Sequence, residues 1–223
     1  LQGDADWVAK PDAIPREALY VPTAPETPAP IADGFEDTAP GEPAKDAQSN
    51  EEGDSATIRV TEESAATGAH SLKFTDAAGL KRAFDPHLVY SPHFTRGKAV
   101  GSFAIRVQPG IAMYYEWRDN HDPYRTGPSV WFNGDGAVTV NGKQLATIPV
   151  GAWSEVEVSC MLGQAADGTW SMTLTMPDGA KQHWDGLTCN PGFKRLDWVG
   201  FVANSDANAT AEIDDVRIEM GAK

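Results

Sequence analysis

From Ala56 onward, apolar and polar residues trade places at every second position through one short segment after another. Phe103, Ile105 and Val107 interleave with Ser102, Ala104 and Arg106. Val156 and Val158 interleave with Glu155, Glu157 and Ser159, and Met172, Leu174 and Met176 with Ser171, Thr173 and Thr175. A period of two with one polar side is the pattern of antiparallel strands that bury one face. It predicts strands at Ala56–Thr61, Ser71–Thr75, Ala99–Val107, Met113–Trp117, Ser129–Phe132 and Ala137–Val140. Further strands are predicted at Trp153–Cys160, Trp170–Met176, Gln182–Asp185, Trp198–Val202 and Ala211–Ile218. Turn signals separate them: Asn133-Gly-Asp-Gly136, Asn141-Gly142, Asp167-Gly168, Pro177-Asp-Gly179 and Asn190-Pro-Gly192. Asn141-Gly142 has the residues of a type I′ hairpin turn. No segment has a helical period. About a dozen strands exceed the seven to nine of an immunoglobulin domain. The pattern therefore predicts an all-β fold, a two-sheet antiparallel β-sandwich of the jelly-roll kind.

Composition divides the chain. Residues 1–33 hold many of its 16 prolines, as in Tyr20-Val-Pro-Thr-Ala-Pro-Glu-Thr-Pro-Ala-Pro30. Proline lacks an N–H for a sheet ladder and pre-sets extended geometry. The segment thus reads as a linker or the end of a preceding module, although Trp7 and Tyr20 are unusual in a linker. Residues 34–220 form the predicted sandwich. The chain begins at Leu1, which fits a processed or excised piece of a larger multidomain protein. The formal charge of −14 argues against nucleic acid and anionic membrane as partners, because both draw on clustered Lys and Arg. No apolar run approaches the ~18 residues of a membrane span. The two cysteines, Cys160 and Cys189, are compatible with one disulfide, worth roughly 3–4 kcal/mol in the chain-entropy model. That would suit a secreted, extracellular or periplasmic protein.

Candidate chemistry concentrates in residues 113–125. Strand alternation sends Met113, Tyr115 and Trp117 to one face and Tyr114, Glu116 and Arg118 to the other. The first set is core. The second joins the loop residues Asp119, His121, Tyr124 and Arg125. Aromatic platforms beside a few directed polar groups are what sugar rings require. The expected glycan-binding residues are Arg106, Tyr114, Glu116, Arg118, His121, Tyr124, Arg125 and Trp131, with Glu155 and Glu157 as further outward-facing candidates. Plainer readings stand beside these. Trp131 can equally be core, Glu116 and Arg118 can be an ordinary ion pair, and Trp153, Trp170 and Trp198 read as core or sandwich-edge residues. Arg118 and Arg125 favour an anionic glycan over a neutral one.

Three further motifs carry a resemblance: Gly34-Phe-Glu-Asp37, Thr67-Gly-Ala-His-Ser-Leu-Lys-Phe74 and Ile213-Asp-Asp-Val-Arg-Ile218. From Gly34 onward the chain resembles the concanavalin A-like and carbohydrate-binding-module jelly rolls of secreted polysaccharide-degrading proteins. The resemblance implies a structural Ca²⁺ between the first and last strands, held by Glu36 and Asp214, with Asp37, Asp215 and the Lys73 carbonyl as further ligands. Such an ion takes six to eight oxygens. It also implies a non-catalytic carbohydrate-binding module recognising a polysaccharide or oligosaccharide. The alternative is a small jelly-roll polysaccharide lyase or glycoside hydrolase using Tyr114–Arg125. No Glu-x-Asp-x-x-Glu motif supplies the paired acids of related glycosidases. A lyase needs a base such as His or Tyr and a carboxylate neutraliser, which Tyr114, His121, Tyr124, Arg118 and Arg125 can furnish.

Overall fold

The alternation resolves into two stacked antiparallel sheets in a computed structural model, which describes residues 27–221. One sheet contains eight strands: β1 (Ile31–Asp33), β3 (Thr57–Thr61), β4 (Ser71–Asp76), β6 (Gly97–Val107), β11 (Ser154–Leu162), β12 (Thr169–Thr175), β13 (Lys181–Thr188) and β15 (Ala209–Met220). The other contains seven: β2 (Gln48–Asn50), β5 (His87–Tyr90), β7 (Ala112–Arg118), β8 (Thr126–Asn133), β9 (Ala137–Val140), β10 (Lys143–Thr147) and β14 (Trp198–Ala203). The only helical element among the described residues is a 3-10 turn at Gly163–Ala165. The fold is an all-β, two-sheet jelly-roll sandwich.

The eight-stranded sheet runs β13-β12-β11-β6-β15-β4-β3, with β1 also pairing β15. The seven-stranded sheet runs β10-β9-β8-β7-β14-β5-β2. The predicted alternation places the core. Phe103 of β6 meets Tyr115 of β7 at 4.6 Å between ring centroids, Phe201 of β14 at 4.9 Å and Phe132 of β8 at 6.0 Å. Met113, Tyr115 and Trp117 are all buried. So alternate residues of β7 anchor the strand, and the intervening ones must face outward.

The Asn141-Gly142 turn joins β9 to β10 with φ of 50° and 74°, the two positive values of a type I′ turn. Four strands carry no expected signal. β1 follows Pro30, β2 is wholly polar, β5 lies between Pro86 and Pro92, and β10 is an edge strand with exposed Lys143 and Gln144. Because β1 pairs with β15 over Ile31–Asp33, the sandwich begins three residues ahead of Gly34. Residues 1–26, with Trp7, Tyr20 and most of the expected linker, lie outside the described residues.

Candidate functional site

Registration across β14, β7 and β8 builds one patch on the outer face of the seven-stranded sheet. Tyr114 lies between Val202 and Trp131, Glu116 between Gly200 and Ser129, and Arg118 between Trp198 and Thr126. The Tyr114 and Trp131 rings stack at 4.6 Å with planes 34° apart. Trp131 is therefore a surface platform and not core. Farther along, the Arg118 guanidinium lies between two rings, 4.0 Å from the centre of Trp198 and 4.4 Å from that of Tyr124. Each such contact is worth about 0.5–2 kcal/mol, depending on desolvation.

Polar groups hold this arrangement. Arg118 Nε donates to Glu116 Oε1 at 2.6 Å, and Ser129 Oγ donates to Glu116 Oε2 at 2.9 Å. The expected Glu116–Arg118 ion pair is present and serves to aim the guanidinium. Burial pushes the Tyr114 phenol above its ordinary value, and the nearby, hydrogen-bonded Arg118 draws it part of the way back.

The rim is a loop organised by Asp119, whose side chain is buried. Its Oδ1 accepts the N–H groups of His121 (3.1 Å) and Arg125 (2.7 Å). Its Oδ2 faces His121 Nδ1 at 2.9 Å and Arg125 Nη1 at 3.6 Å. Arg125 Nη1 also donates to the Gly192 carbonyl at 3.1 Å. Beneath the loop a cavity of about 320 Å³ is lined by His93, Arg118, Asp119, Tyr124, Asp197 and Trp198. The positive charges of Arg118 and Arg125 are thus matched by Glu116 and Asp119, so the patch carries no surplus cation for an anionic ligand.

Seven of the eight expected binding residues come together here. Arg106 does not. It projects from β6 on the opposite sheet, donating to the Gly151 carbonyl at 2.8 Å and pairing with Glu212 at 3.2 Å. Glu155 and Glu157 of β11 lie on that same far side. Alternation reports which face of its own strand a residue takes, but not which sheet the strand joins. Trp198 was expected in the core or at an edge, yet it lies on the outer face. The signal available was Gly200 two positions on, where an added Cβ would stand 1.8 Å from the Trp198 ring. The absent side chain is the ring's seat.

The expected calcium ligands divide. Glu36, Asp214 and Asp215 all turn to the 66–70 loop, whereas Asp37 and Lys73 do not. Glu36 Oε1 accepts the Ala69 and His70 amides at 2.9 and 3.0 Å. Asp214 Oδ2 accepts those of Ala66 and Thr67 at 2.8 and 3.2 Å, and its Oδ1 that of Asp215 at 2.7 Å. Asp215 accepts the Thr67 hydroxyl at 3.0 Å. Desolvation lifts the Asp214 carboxyl to about 6 against these amides. Lys73 sits within the β3–β4–β15 ladder, and its Nζ binds Glu63. No three metal-ligating side chains among the described residues gather around one point. Backbone amides and the Thr67 hydroxyl engage these carboxylates in the arrangement described. Cys160 and Cys189, for which a disulfide was expected, are neighbouring free thiols.

No protein-family model matches the sequence, and no curated protein matches it either. Solved structures do. An endo-β-1,4-glucuronan lyase from the fungus Trichoderma reesei superposes with a TM-score of 0.58 at 14% identity, covering 78% of this chain and 90% of that one. The shared fold is the two-sheet jelly roll. A marine PL-14 alginate lyase from Aplysia kurodai gives a TM-score of 0.54 at 8% identity, covering 74% and 87%. A carbohydrate esterase from the Shiga toxin-encoding bacteriophage phi24B gives 0.54 at 13%, covering 79% and 90%. At such identities the jelly roll itself is what is shared, and function must be argued from the site.

Proposed function

We propose that this chain is a non-catalytic carbohydrate-binding module that lays a polysaccharide along the outer face of the seven-stranded sheet. One observation carries the reading. Two aromatic stacks, Tyr114–Trp131 and Tyr124–Arg118–Trp198, lie on one sheet face with the hydrogen-bonding pair Glu116 and Ser129 between them. Rings offer apolar faces to sugar C–H groups, and the polar strip between them reads hydroxyls. The module would belong to a larger exported polysaccharide-processing protein. Because Arg118 and Arg125 are charge-matched, neutral glycans are as suitable as anionic ones.

Affinity electrophoresis of the full chain in gels containing soluble polysaccharides tests this. Retardation in at least one gel should weaken in the Tyr114→Ala/Trp131→Ala variant with its melting temperature preserved. Retardation that the double substitution leaves unchanged in every gel sinks the reading.

One observation favours a second reading, a uronate lyase: the Tyr114 phenol, the Arg118 guanidinium and the Tyr124 ring meet on one face, and two of the similar structures are lyases of glucuronan and alginate. Elimination would need a base for the proton beside the uronate carboxylate, a cation to neutralise it and an acid for the departing oxygen. A raised Tyr114 phenol suits the acid, leaving Tyr124 or His121 as base. Unsaturated product from polyglucuronate or alginate, lost in Tyr114→Phe, would establish that reading in place of the first.

A further inference from the structure

The opposite side of the sandwich carries a second, larger groove. We infer that it is a binding site for a neutral polysaccharide chain, separate from the seven-stranded face. The inference does not depend on the seven-stranded face being a binding site.

The groove follows from the register of the eight-stranded sheet. β11 pairs Glu157 with Ser102 and Thr173, and Glu155 with Ala104 and Thr175. β15 places Arg217 beside Ser102, and β13 places Lys181 beside Thr175. The small residues Ser102 and Ala104 fall in the middle of the sheet, so the surface dips where longer side chains flank it. The result is a trough of about 1100 Å³ with Trp153 along its border and the β12–β13 turn, including Pro177, along another. Trp153 is half-buried, and its indole N–H donates to Ser64 Oγ at 2.9 Å. That bond fixes the orientation of the ring.

The plainer reading of exposed charge on a sheet is a solvated surface, usually laced by cross-strand ion pairs. This surface lacks the pairs. Among the described residues, the side chains of Glu155, Glu157, Lys181 and Arg217 border the trough with no hydrogen-bond or ion-pair partner, and the register sets each carboxylate opposite small or hydroxyl side chains. On the other face, Glu116, Arg118, Asp119 and Arg125 are all engaged with one another or their neighbours. The trough therefore offers uncommitted acceptors and uncommitted donors along its length, beside one oriented aromatic ring. Hydroxyls both donate and accept, so a row of them satisfies such a surface. Its three carboxylates, counting Asp215, outnumber its two cations, which disfavours a polyanion.

The test uses affinity electrophoresis of the full chain in gels containing hydroxyethylcellulose, galactomannan or alginate, each referenced to a gel without polysaccharide. The Tyr114→Ala/Trp131→Ala background silences the other face. In that background, retardation by hydroxyethylcellulose or galactomannan should persist. Adding Trp153→Ala or Glu157→Gln should weaken it on the order of tenfold. Glu157→Gln changes one exposed oxygen to an amide and leaves the fold intact. Three results would overturn the inference: no retardation by either neutral polysaccharide, its complete loss in the background variant, or indifference to both added substitutions. Loss in the background variant would leave the seven-stranded face as the binding site, so the two proposals fail separately.

Discussion

At the scale of single residues, the site depends on a side chain that is missing. Trp198 and Gly200 share the outer face of β14, and the indole lies over the glycine. Gly200 has no positive φ that only glycine tolerates, so what the position requires is space, not backbone freedom. A methyl group there would collide with the ring at 1.8 Å, and Trp198 would have to leave its place against Arg118. Gly200→Ala should therefore open one side of the Tyr124–Arg118–Trp198 stack while leaving the core untouched. With one aromatic ring of the face displaced, polysaccharide retardation should weaken by about fivefold or more, the cost typical of losing an aromatic anchor. Melting temperature serves as the control, and unchanged retardation would show that the indole contributes nothing to binding.

At the scale of elements, strand β7 was the legible part and its loop was not. Alternation along Met113–Arg118 correctly separated the core residues from the outward Tyr114, Glu116 and Arg118, because side-chain period is local to a strand. The Asn141-Gly142 turn was legible for the same reason. Sheet membership was not, since pairing partners are distant in sequence. Arg106 and the β11 glutamates were consequently expected on the binding face and lie on the far one. Asp119 shows a different gap. The sequence groups it with His121 and Arg125 but does not reveal its role as the buried acceptor of both their amides, which depends on how the loop closes. Asp119→Ala should release the 120–125 loop while β7 and β8 hold. With its partners partly exposed, the cost should be about 1–3 kcal/mol. Hydrogen exchange should accelerate at the His121 and Arg125 amides and stay slow at Tyr115 and Trp117. Equal acceleration across β7 would mean that Asp119 supports the sheet and not the loop.

At the scale of the whole molecule, the last strand joins what the sequence separates. β15 is central in the eight-stranded sheet, flanked by β6 and β4, and it also receives β1. Its register slips between Asp214 and Arg217, and Asp215 takes a left-handed φ of 51°, a conformation that Asp tolerates better than most residues. The slip carries Asp214 and Asp215 to the 66–70 loop, some 150 residues earlier in the chain. Asp214 there accepts three backbone amides. Resemblance alone implied that calcium would tie these ends together, whereas the geometry has amide hydrogens doing so. The two accounts predict different responses. If the amides are the tie, a chelator leaves the melting temperature of the native protein unchanged. Asp214→Ala, by removing the buried acceptor of three part-buried N–H groups, then lowers it by roughly 5–15 °C. If a cation is the tie, chelation alone produces a comparable drop that added Ca²⁺ reverses, and the 66–70 amides must turn away from the carboxylates to admit it. Thermal melts of the native chain with chelator and with Ca²⁺, beside the Asp214→Ala variant, decide between them.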